Sequence, residues 1–207
     1  FLMRLGREAG VDGLSAMAKH WQHDDITYHR PLLSITRLQL REYLTANGMI
    51  WIEDPSNEND MYDRVRVRKA LSVLSPLGIT SQNLSQVAMH ISDVRDTLYH
   101  YVSKALHELA HVEIGDIVID RRGFDDLPPE IARRMMQHCL HWINGAEYAP
   151  RGPAMNRLLD ALATGDTTTL QGCLFLAQND TLRITREYNS VAQISAQPGA
   201  MWDTRWR

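Results

Sequence analysis

The sequence predicts an α/β segment followed by a mainly helical segment that carries a small β element. Three observations lead to this fold class. Before residue 74, short apolar runs alternate with stretches of helical periodicity, as in α/β folds. From Ser81 onward, apolar residues recur at helical spacing over many turns. Between these segments, Leu74-Ser75-Pro76-Leu77-Gly78 has the proline and glycine of a connection, so we place a domain boundary there.

Composition agrees with a folded chain that has a substantial core. The 207 residues are 44% hydrophobic and 23% charged, with 12 Gly and 8 Pro, which excludes collagen-like, low-complexity and disordered classes. The net charge of −3 provides no overall basic field, although the cations are 19 Arg against 3 Lys. Only Cys139 and Cys173 occur, without a CxxC pair, so a disulfide framework is not expected. No apolar run approaches the ~20 residues of a membrane helix.

The first segment begins inside a helical pattern at Phe1, which suggests a fragment of a longer protein. Three glycines within residues 6–13 predict a loop or helix end with unusual backbone angles. Residues 28–33 are predicted to be extended because of Pro31, and a helix capped by Ser34 or Thr36 follows and ends at Asn47-Gly48. Residues 49–52 are predicted to form a short buried strand, and residues 53–57 a turn.

The second segment has clearer helix boundaries. One long helix is predicted over residues 81–112, ended by Gly115, and residues 117–119 are predicted to form a strand. Pro128-Pro129 opens a second helix that closes at Asn144-Gly145, and a third runs from Pro153 to Gly165. Residues 170–175 and 182–185 flank Asn179-Asp180 as a hairpin, and the polar residues from Ser190 are predicted to be a frayed tail.

Three residue clusters are candidates for chemistry, and each has a simpler explanation. In residues 62–68 arginine alternates with valine. As a strand, this stretch would have Arg64, Arg66 and Arg68 on one face; as a helix, it would have Arg64 and Arg68 on one face. They could bind phosphate or form a solvated basic face. Glu53-Asp54 could hold Mg²⁺ or orient an amine, or cap a turn. The pairs His20/His23, with Asp24 and Asp25, and His138/His141 lack the convergent ligands of a zinc site, so no metal site is predicted.

Several stretches, in this order, resemble the bacterial tRNA(Ile)-lysidine synthetase family. They are residues 1–17, Arg30-Pro31-Leu32-Leu33, Gly48-Met49-Ile50-Trp51-Ile52-Glu53-Asp54-Pro55-Ser56-Asn57, and Tyr62-Asp63-Arg64 through Arg68. Residues 169–173 and Arg186-Glu187 resemble its C-terminal hairpin. The most specific part is the Asp-Pro-Ser-Asn run with the arginine cluster shortly after it.

The resemblance implies both an architecture and an activity. Residues 1–74 would be the C-terminal part of a Rossmann-like ATP-pyrophosphatase domain, which is catalytic. Residues 75–190 would be a helical tRNA-handling domain with a small β-hairpin, and 191–207 a polar tail. The activity implied is that of a cytoplasmic ligase without membrane attachment. It uses ATP and Mg²⁺ to adenylate the wobble cytidine of an isoleucine tRNA with a CAU anticodon, and the amine of L-lysine then displaces AMP.

Matching residue by residue, the resemblance assigns Arg64 to the reaction centre, where it would stabilise phosphate or developing charge. Six further residues are expected to bind substrate or shape the site: Gly10, Gly13, Arg30, Asp54, Asn57 and Arg68. Val65 departs from the pattern, since the family usually has asparagine there.

Two family motifs, Ser-Gly-Gly-x-Asp-Ser and His-x-x-Asp-Asp, do not occur in this sequence, and we expect both upstream of Phe1. Because the first supplies the main ATP-binding loop, we expect the chain alone neither to hydrolyse ATP nor to make lysidine. An open sheet edge in the first segment would favour a homodimer. The alternative function is a non-catalytic helical module that binds RNA or protein through residues 81–112. A tRNA thiolase is disfavoured, because Cys139 and Cys173 lie outside any catalytic pattern.

Overall fold

The computed structural model describes residues 1–23, 25–146, 148–150 and 152–203. They form two compact units, Phe1–Asp96 and Thr97–Arg207. The boundary predicted at 74–78 coincides with a short 3₁₀ helix, Ser75–Leu77, which ends at Gly78 with φ +81°. The division into domains at residue 74 stays a prediction.

Runs of helices and runs of strands follow one another along the chain. In order they are α1 (Leu2–Leu5), α2 (Val11–Leu14), β1 (His20–His23), β2 (Ile26–His29), α3 (Arg37–Ala46), α4 (Asp63–Leu74), α5 (Ser81–Leu109), β3 (Ala110–Glu113), β4 (Asp116–Asp120), α6 (Arg121–Asp125), α7 (Pro129–Asn144), α8 (Gly152–Thr164), β5 (Thr168–Leu170), β6 (Cys173–Ala177), β7 (Thr181–Arg186) and α9 (Tyr188–Val191). A second 3₁₀ helix spans Pro55–Glu58. The chain mixes helices and sheets, as predicted, but the β part of the second segment is larger than the predicted small element. The Rossmann-like layout of residues 1–74 stays a prediction.

The ends of α3 follow from its flanking residues. The Thr36 hydroxyl accepts a hydrogen bond from the backbone N–H of Gln39, at 3.2 Å. The Gln39 side chain accepts in return from the backbone N–H of Thr36, at 2.8 Å. This reciprocal pair is a capping box, which satisfies two N–H groups that a helix start leaves unbonded. After α3 the backbone turns at Gly48, whose φ of +66° favours glycine. The predicted helix and its cap at Thr36 are confirmed.

The prediction of a strand over residues 49–52 is wrong. No strand forms there, and the side chains of Ile50 and Ile52 are 98% and 94% exposed. A strand needs a partner for its backbone groups, and no described strand pairs with this segment. The first unit instead contains a hairpin that the sequence did not indicate. Strands β1 and β2 pair antiparallel, with Trp21 opposite Tyr28.

The second unit is built on a five-stranded antiparallel sheet in the order β3-β4-β7-β6-β5. The predicted hairpin is its β6–β7 part, in which Phe175 pairs with Ile184. The apolar run predicted as one strand at 170–175 is two strands, because Gln171 and Gly172 turn the chain with φ +48° and +73°. The long helix is shorter than predicted, since residues 110–112 belong to β3.

The core of the second unit lies between the sheet and α7. One face of α7 is buried, including Met135, Cys139 and Ile143 at 0–1% exposure. Opposite them lie the strand residues Ile119, Phe175 and Ile184, which are equally buried. The predicted start of α7 at Pro128-Pro129 and its end at Gly145, where φ is +63°, are confirmed.

The polar tail is not frayed over its described part. Val191 is buried, and the Arg186 Nε lies 2.7 Å from the Asp203 Oδ2. The Trp202 indole N–H donates to the carbonyl of Ile194 at 2.7 Å. These contacts hold the chain as far as residue 203 against the unit, and residues 204–207 lie outside the described part. Among the described helices, none combines the length and the apolar character that crossing a bilayer requires.

Candidate active site

The arginine cluster lies on helix α4, as the helical alternative predicted. Arg64 and Arg68 are four residues apart and therefore share one helix face. Both are exposed, and no described residue forms an ion pair or hydrogen bond with either guanidinium. The neighbouring cations differ: Arg66 pairs with Asp63, and the Lys69 Nζ lies 2.6 Å from an Asp60 carboxylate oxygen. Two cations on α4 therefore keep their charge uncompensated by any described acid.

Val65 anchors this helix. It is 6% exposed and is the buried side chain of α4, which points the arginines on either side of it toward the surface. An amide at this position would need hydrogen-bond partners inside the unit. The valine needs none, so this departure from the family pattern places an apolar side chain where it is buried.

Arg7 is a neighbour of the cluster that the sequence did not indicate. Its Nη2 lies 3.8 Å from Asp63, the same carboxylate that Arg66 contacts. Two guanidiniums thus share one carboxylate, beside a cavity of about 340 Å³ lined by residues of α1, its C-terminal flank and α4. Two arginines and one aspartate give this cavity a net positive charge, which suits an anion. The pair was missed because Arg7 and Asp63 are far apart in sequence.

Asp54 and Asn57 form a turn that precedes α4. The Asp54 carboxylate accepts a hydrogen bond from the backbone N–H of Ser56 at 2.8 Å. This bond lowers the pKa of the Asp54 carboxyl below its ordinary value. The backbone N–H of Asn57 donates to the carbonyl of Asp54 at 3.0 Å, which closes the 3₁₀ turn. Asp54 therefore caps the turn, as the simpler explanation of the acidic pair proposed.

The Glu53 carboxylate is also hydrogen-bonded to its neighbours. It accepts hydrogen bonds from the Trp51 indole at 2.8 Å, from Arg37 at 2.7 Å and from Arg41. The Trp51 bond is the main cause that lowers the pKa of the Glu53 carboxyl, and the two arginines lower it further. With both acids engaged, the Glu53-Asp54 pair does not fit a Mg²⁺ site. No group of three metal-binding side chains occurs in the described part of the chain.

The loop and helix ends predicted from the three glycines of residues 6–13 are present, but these glycines themselves have ordinary backbone angles. Gly10 is extended with φ −77°, and Gly13 lies in α2 with a negative φ. Gly13 is needed for packing, since a Cβ there would lie 2.6 Å from the Ala9 Cβ. Its carbonyl accepts a hydrogen bond from Arg4 at 2.9 Å. The positive φ of this stretch, +56°, falls on Glu8 instead.

Arg30 stabilises the β1–β2 hairpin. Its guanidinium lies over the Trp21 ring, 3.8 Å from the ring centroid, and donates to the carbonyl of Ala18 at 3.1 Å. Trp21 also stacks on Tyr28, with ring centroids 4.9 Å apart. These contacts account for an arginine at this position by cation–π and hydrogen-bond stabilisation alone.

The structure therefore separates the predicted site residues into two groups. Arg64 and Arg68 have guanidiniums that no described residue binds, and they share one helix face. Five others are engaged in, or lie within, local turns and packing: Gly10, Gly13, Arg30, Asp54 and Asn57. No hydrogen bond or ion pair among the described residues joins any of these five to Arg64 or Arg68.

One histidine of each predicted pair, His20 and His138, has a ring contact of its own. His20 and His29 are paired across the hairpin, with ring centroids 6.1 Å apart, and Asp24 lies outside the described residues. His138 lies at the surface of α7, with its ring edge-on to Tyr99. Cys139 is buried in the core, and burial raises the pKa of its thiol to about 12, so it is no nucleophile.

Comparison with known proteins gives matches along the whole chain. A family model described as a PP-loop domain matches residues 1–74. The tRNA(Ile)-lysidine synthase of Ruegeria pomeroyi is 45% identical over 205 residues, which are 99% of this chain and 49% of that protein. The protein of the same name from Anaplasma marginale is 32% identical over 217 residues, which cover 99% of this chain and 46% of that protein. The protein of the same name from Wolbachia pipientis is 30% identical over 210 residues, which cover 100% of this chain and 49% of that protein. The chain thus spans about half the length of the curated relatives it matches.

Proposed function

Since the chain belongs to the tRNA(Ile)-lysidine synthase family, we propose that it acts as part of an ATP-dependent ligase that joins lysine to the wobble cytidine of an isoleucine tRNA. The tRNA would carry a CAU anticodon, and the reaction would pass through an adenylated cytidine and take place in the cytoplasm. The names of the relatives favour this function over a non-catalytic helical module.

The free guanidiniums of Arg64 and Arg68 carry this proposal. An adenylyl transfer develops negative charge on phosphate oxygens, and arginine meets two such oxygens with parallel hydrogen bonds. A guanidinium already paired with a carboxylate, such as that of Arg66, has part of this capacity occupied. Arg64 and Arg68 have none of it occupied by described residues. Arg64 is the catalytic residue of the proposal, and Arg68 extends the same surface along the RNA or nucleotide.

The other predicted residues act by shaping the surface around α4. Asp54 and Asn57 fix the turn that leads into the helix, and Gly13 permits the close packing of α2. Gly10 begins α2, and Arg30 stabilises the β1–β2 hairpin; we propose that both support the same surface. Together they would hold the free arginines in place without contacting the reacting atoms.

ATP and Mg²⁺ fit the described residues differently. A PP-loop domain implies ATP binding, and Arg64 and Arg68 suit its phosphate oxygens. ATP would supply the adenylyl group that activates the cytidine. The Glu53-Asp54 pair does not fit a Mg²⁺ site, because both carboxylates are engaged in hydrogen bonds. We therefore assign no Mg²⁺ ligand to this chain. A homodimer stays a prediction of the sequence.

A hybrid protein tests the function. This chain replaces the matching segment of the Ruegeria pomeroyi protein, and AMP release is measured with ATP, lysine and an isoleucine tRNA transcript whose wobble base is cytidine. We expect AMP release that depends on lysine, and no release with a transcript whose wobble base is uridine. If the hybrid folds and binds the transcript but makes no lysidine, the proposed function is wrong.

A further inference from the structure

Helix α7 presents a polar stripe beside its buried face. Five polar residues lie along one side of the helix, since the steps between them are three, one, three and three residues: Arg134, Gln137, His138, His141 and Asn144. Each of these side chains lines a cavity of about 210 Å³ within the second unit. The proposed function uses none of them.

Hydrogen bonds fix the walls of this cavity. The His141 Nδ1 lies 2.8 Å from the carbonyl of Ala146, to which it donates. The Asn144 amide donates to the carbonyl of Gln171 at 3.1 Å, and so ties α7 to the turn between β5 and β6. A cavity whose walls are held in this way is formed before a ligand arrives, which lowers the cost of binding.

Aromatic rings line the opposite part of the cavity. Tyr99 meets His138 edge-on, with ring centroids 5.8 Å apart and planes at 83°. The guanidinium of Arg134 lies 5.4 Å from the Tyr99 ring centroid. The Arg134 side chain is 3% exposed, and its Nε lies 2.7 Å from a Glu130 carboxylate oxygen. Arg133 bonds to the same carboxylate, so this contact fixes the position of the Arg134 guanidinium in the cavity wall without excluding an anion.

From this lining we propose that the cavity binds one unpaired nucleobase. Aromatic and guanidinium planes stack on a base, and amide and imidazole groups bond to its edge. The volume is smaller than the ~300–1,000 Å³ of pockets that enclose whole ligands, which suits a ring without its sugar and phosphate. The proposed tRNA substrate is the expected source of the base, and in this respect the inference rests on the proposed function.

Other occupants agree less well with the lining. A metal ion needs three or four convergent ligands. No group of three histidine, cysteine or acidic side chains that could hold one occurs among the described residues. A phosphate could meet the Arg134 guanidinium, but it has no flat face to stack on the Tyr99 ring. An apolar ligand would leave the amide of Gln137, for which no described residue provides a hydrogen bond, without a complementary group.

The test uses the 207-residue chain and a short single-stranded RNA that contains 2-aminopurine, whose emission falls when the base stacks on a ring. Tyr99→Ala is compared with Tyr101→Ala, because Tyr101 lies on the same helix, is 54% exposed and does not line the cavity. His138→Ala is compared with His107→Ala, an exposed histidine of α5. Circular dichroism confirms the folding of each variant.

We expect quenching on binding, and a loss of affinity of about 5- to 150-fold for Tyr99→Ala against little change for Tyr101→Ala. His138→Ala should likewise bind the RNA more weakly than His107→Ala does. Adenosine monophosphate is added as competitor to identify the source of the base. Displacement of the RNA at low concentration would assign the cavity to free nucleotides, and its absence would assign it to bases of RNA.

Equal affinities for each variant and its control, or binding without quenching, would overturn the proposal. If Tyr99→Ala does not fold, the comparison of His138→Ala with His107→Ala decides whether the cavity binds the base. The outcome is separate from that of the hybrid protein, since base binding by the chain requires no catalysis. A hybrid that makes lysidine while the cavity variants bind RNA normally would refute only this inference.

Discussion

Replacing Asp203 with alanine tests how the C-terminal segment is held. The Arg186 guanidinium makes two hydrogen bonds to this carboxylate, at 2.7 and 3.1 Å, and the two side chains are only 16% and 10% exposed. In the variant the guanidinium keeps the carbonyl of Gly172, at 3.1 Å, but loses its charged partner. Bonds between charged groups at such partly buried sites contribute about 1.5–3 kcal/mol, so we expect a loss of about 2 kcal/mol in the free energy of unfolding.

Urea denaturation measures this loss. With a slope of about 2 kcal/mol/M, the midpoint should fall by about 1 M. Asp160→Ala is the control, because Asp160 is an exposed acid on α8 and its removal should change the free energy by less than about 0.5 kcal/mol. Chymotrypsin should also cleave Asp203→Ala faster near Trp202, whose indole is bonded to Ile194. Equal midpoints for the two variants would refute the conclusion that this segment is part of the folded unit.

Three further predictions concern single side chains. Gly172→Ala should lower the free energy of unfolding by about 1–2 kcal/mol, because φ is +73° and a Cβ would lie 2.8 Å from the Ser190 hydroxyl oxygen; Gly152→Ala, with open space at its Cβ, should not. In Glu130→Gln, the free energy of unfolding measured by urea denaturation should fall less steeply at acid pH than in the unsubstituted chain. Arg133 lowers the pKa of this carboxyl below 4.5, so its contribution is present above that pH and is lost as pH falls through the lowered pKa. Val65→Asn should cost about 1–3 kcal/mol in a thermal or urea unfolding experiment, because it buries an amide in an apolar position.

Helix boundaries could be predicted because local residues determine them. Thr36 caps α3 through a neighbour three residues away, and Gly145 ends α7 by its own backbone angle. These interactions need nothing from the rest of the chain. For the same reason the spacing of Arg64 and Arg68 on one face followed directly from the helical alternative.

Strands were harder to predict because their partners are distant in sequence. Residues 49–52 have the apolar character of a buried strand, yet Ile50 is 98% exposed and no described strand pairs with the segment. Conversely, β3 directly follows the long helix and pairs with β4 in a sheet whose register is set by strands that come later in the chain. A short apolar run does not by itself distinguish these outcomes.

Charge pairing limited the prediction of the candidate site in the same way. The sequence contains Arg64, Arg66 and Arg68 as equivalent members of one cluster. Only the fold brings Asp63 and Arg7 together beside Arg66 and leaves the other two arginines without a described partner. The roles of Gly13 and Arg30 likewise depend on the contacts of Ala9 and Trp21, which the pattern of residue types does not reveal.

The rate of the chemical step in the hybrid protein, with and without Arg64, tests the central proposal most directly. The measurement is a single-turnover reaction at saturating tRNA, together with the tRNA dissociation constant, for Arg64→Ala and for the control Arg66→Ala. Since Arg64 is exposed and has no described partner, its removal should not unfold the protein. We predict that Arg64→Ala lowers the rate by about 100-fold or more with unchanged tRNA affinity, while Arg66→Ala changes both only slightly. Weakened tRNA binding with an unchanged rate would contradict the account and make Arg64 a docking residue.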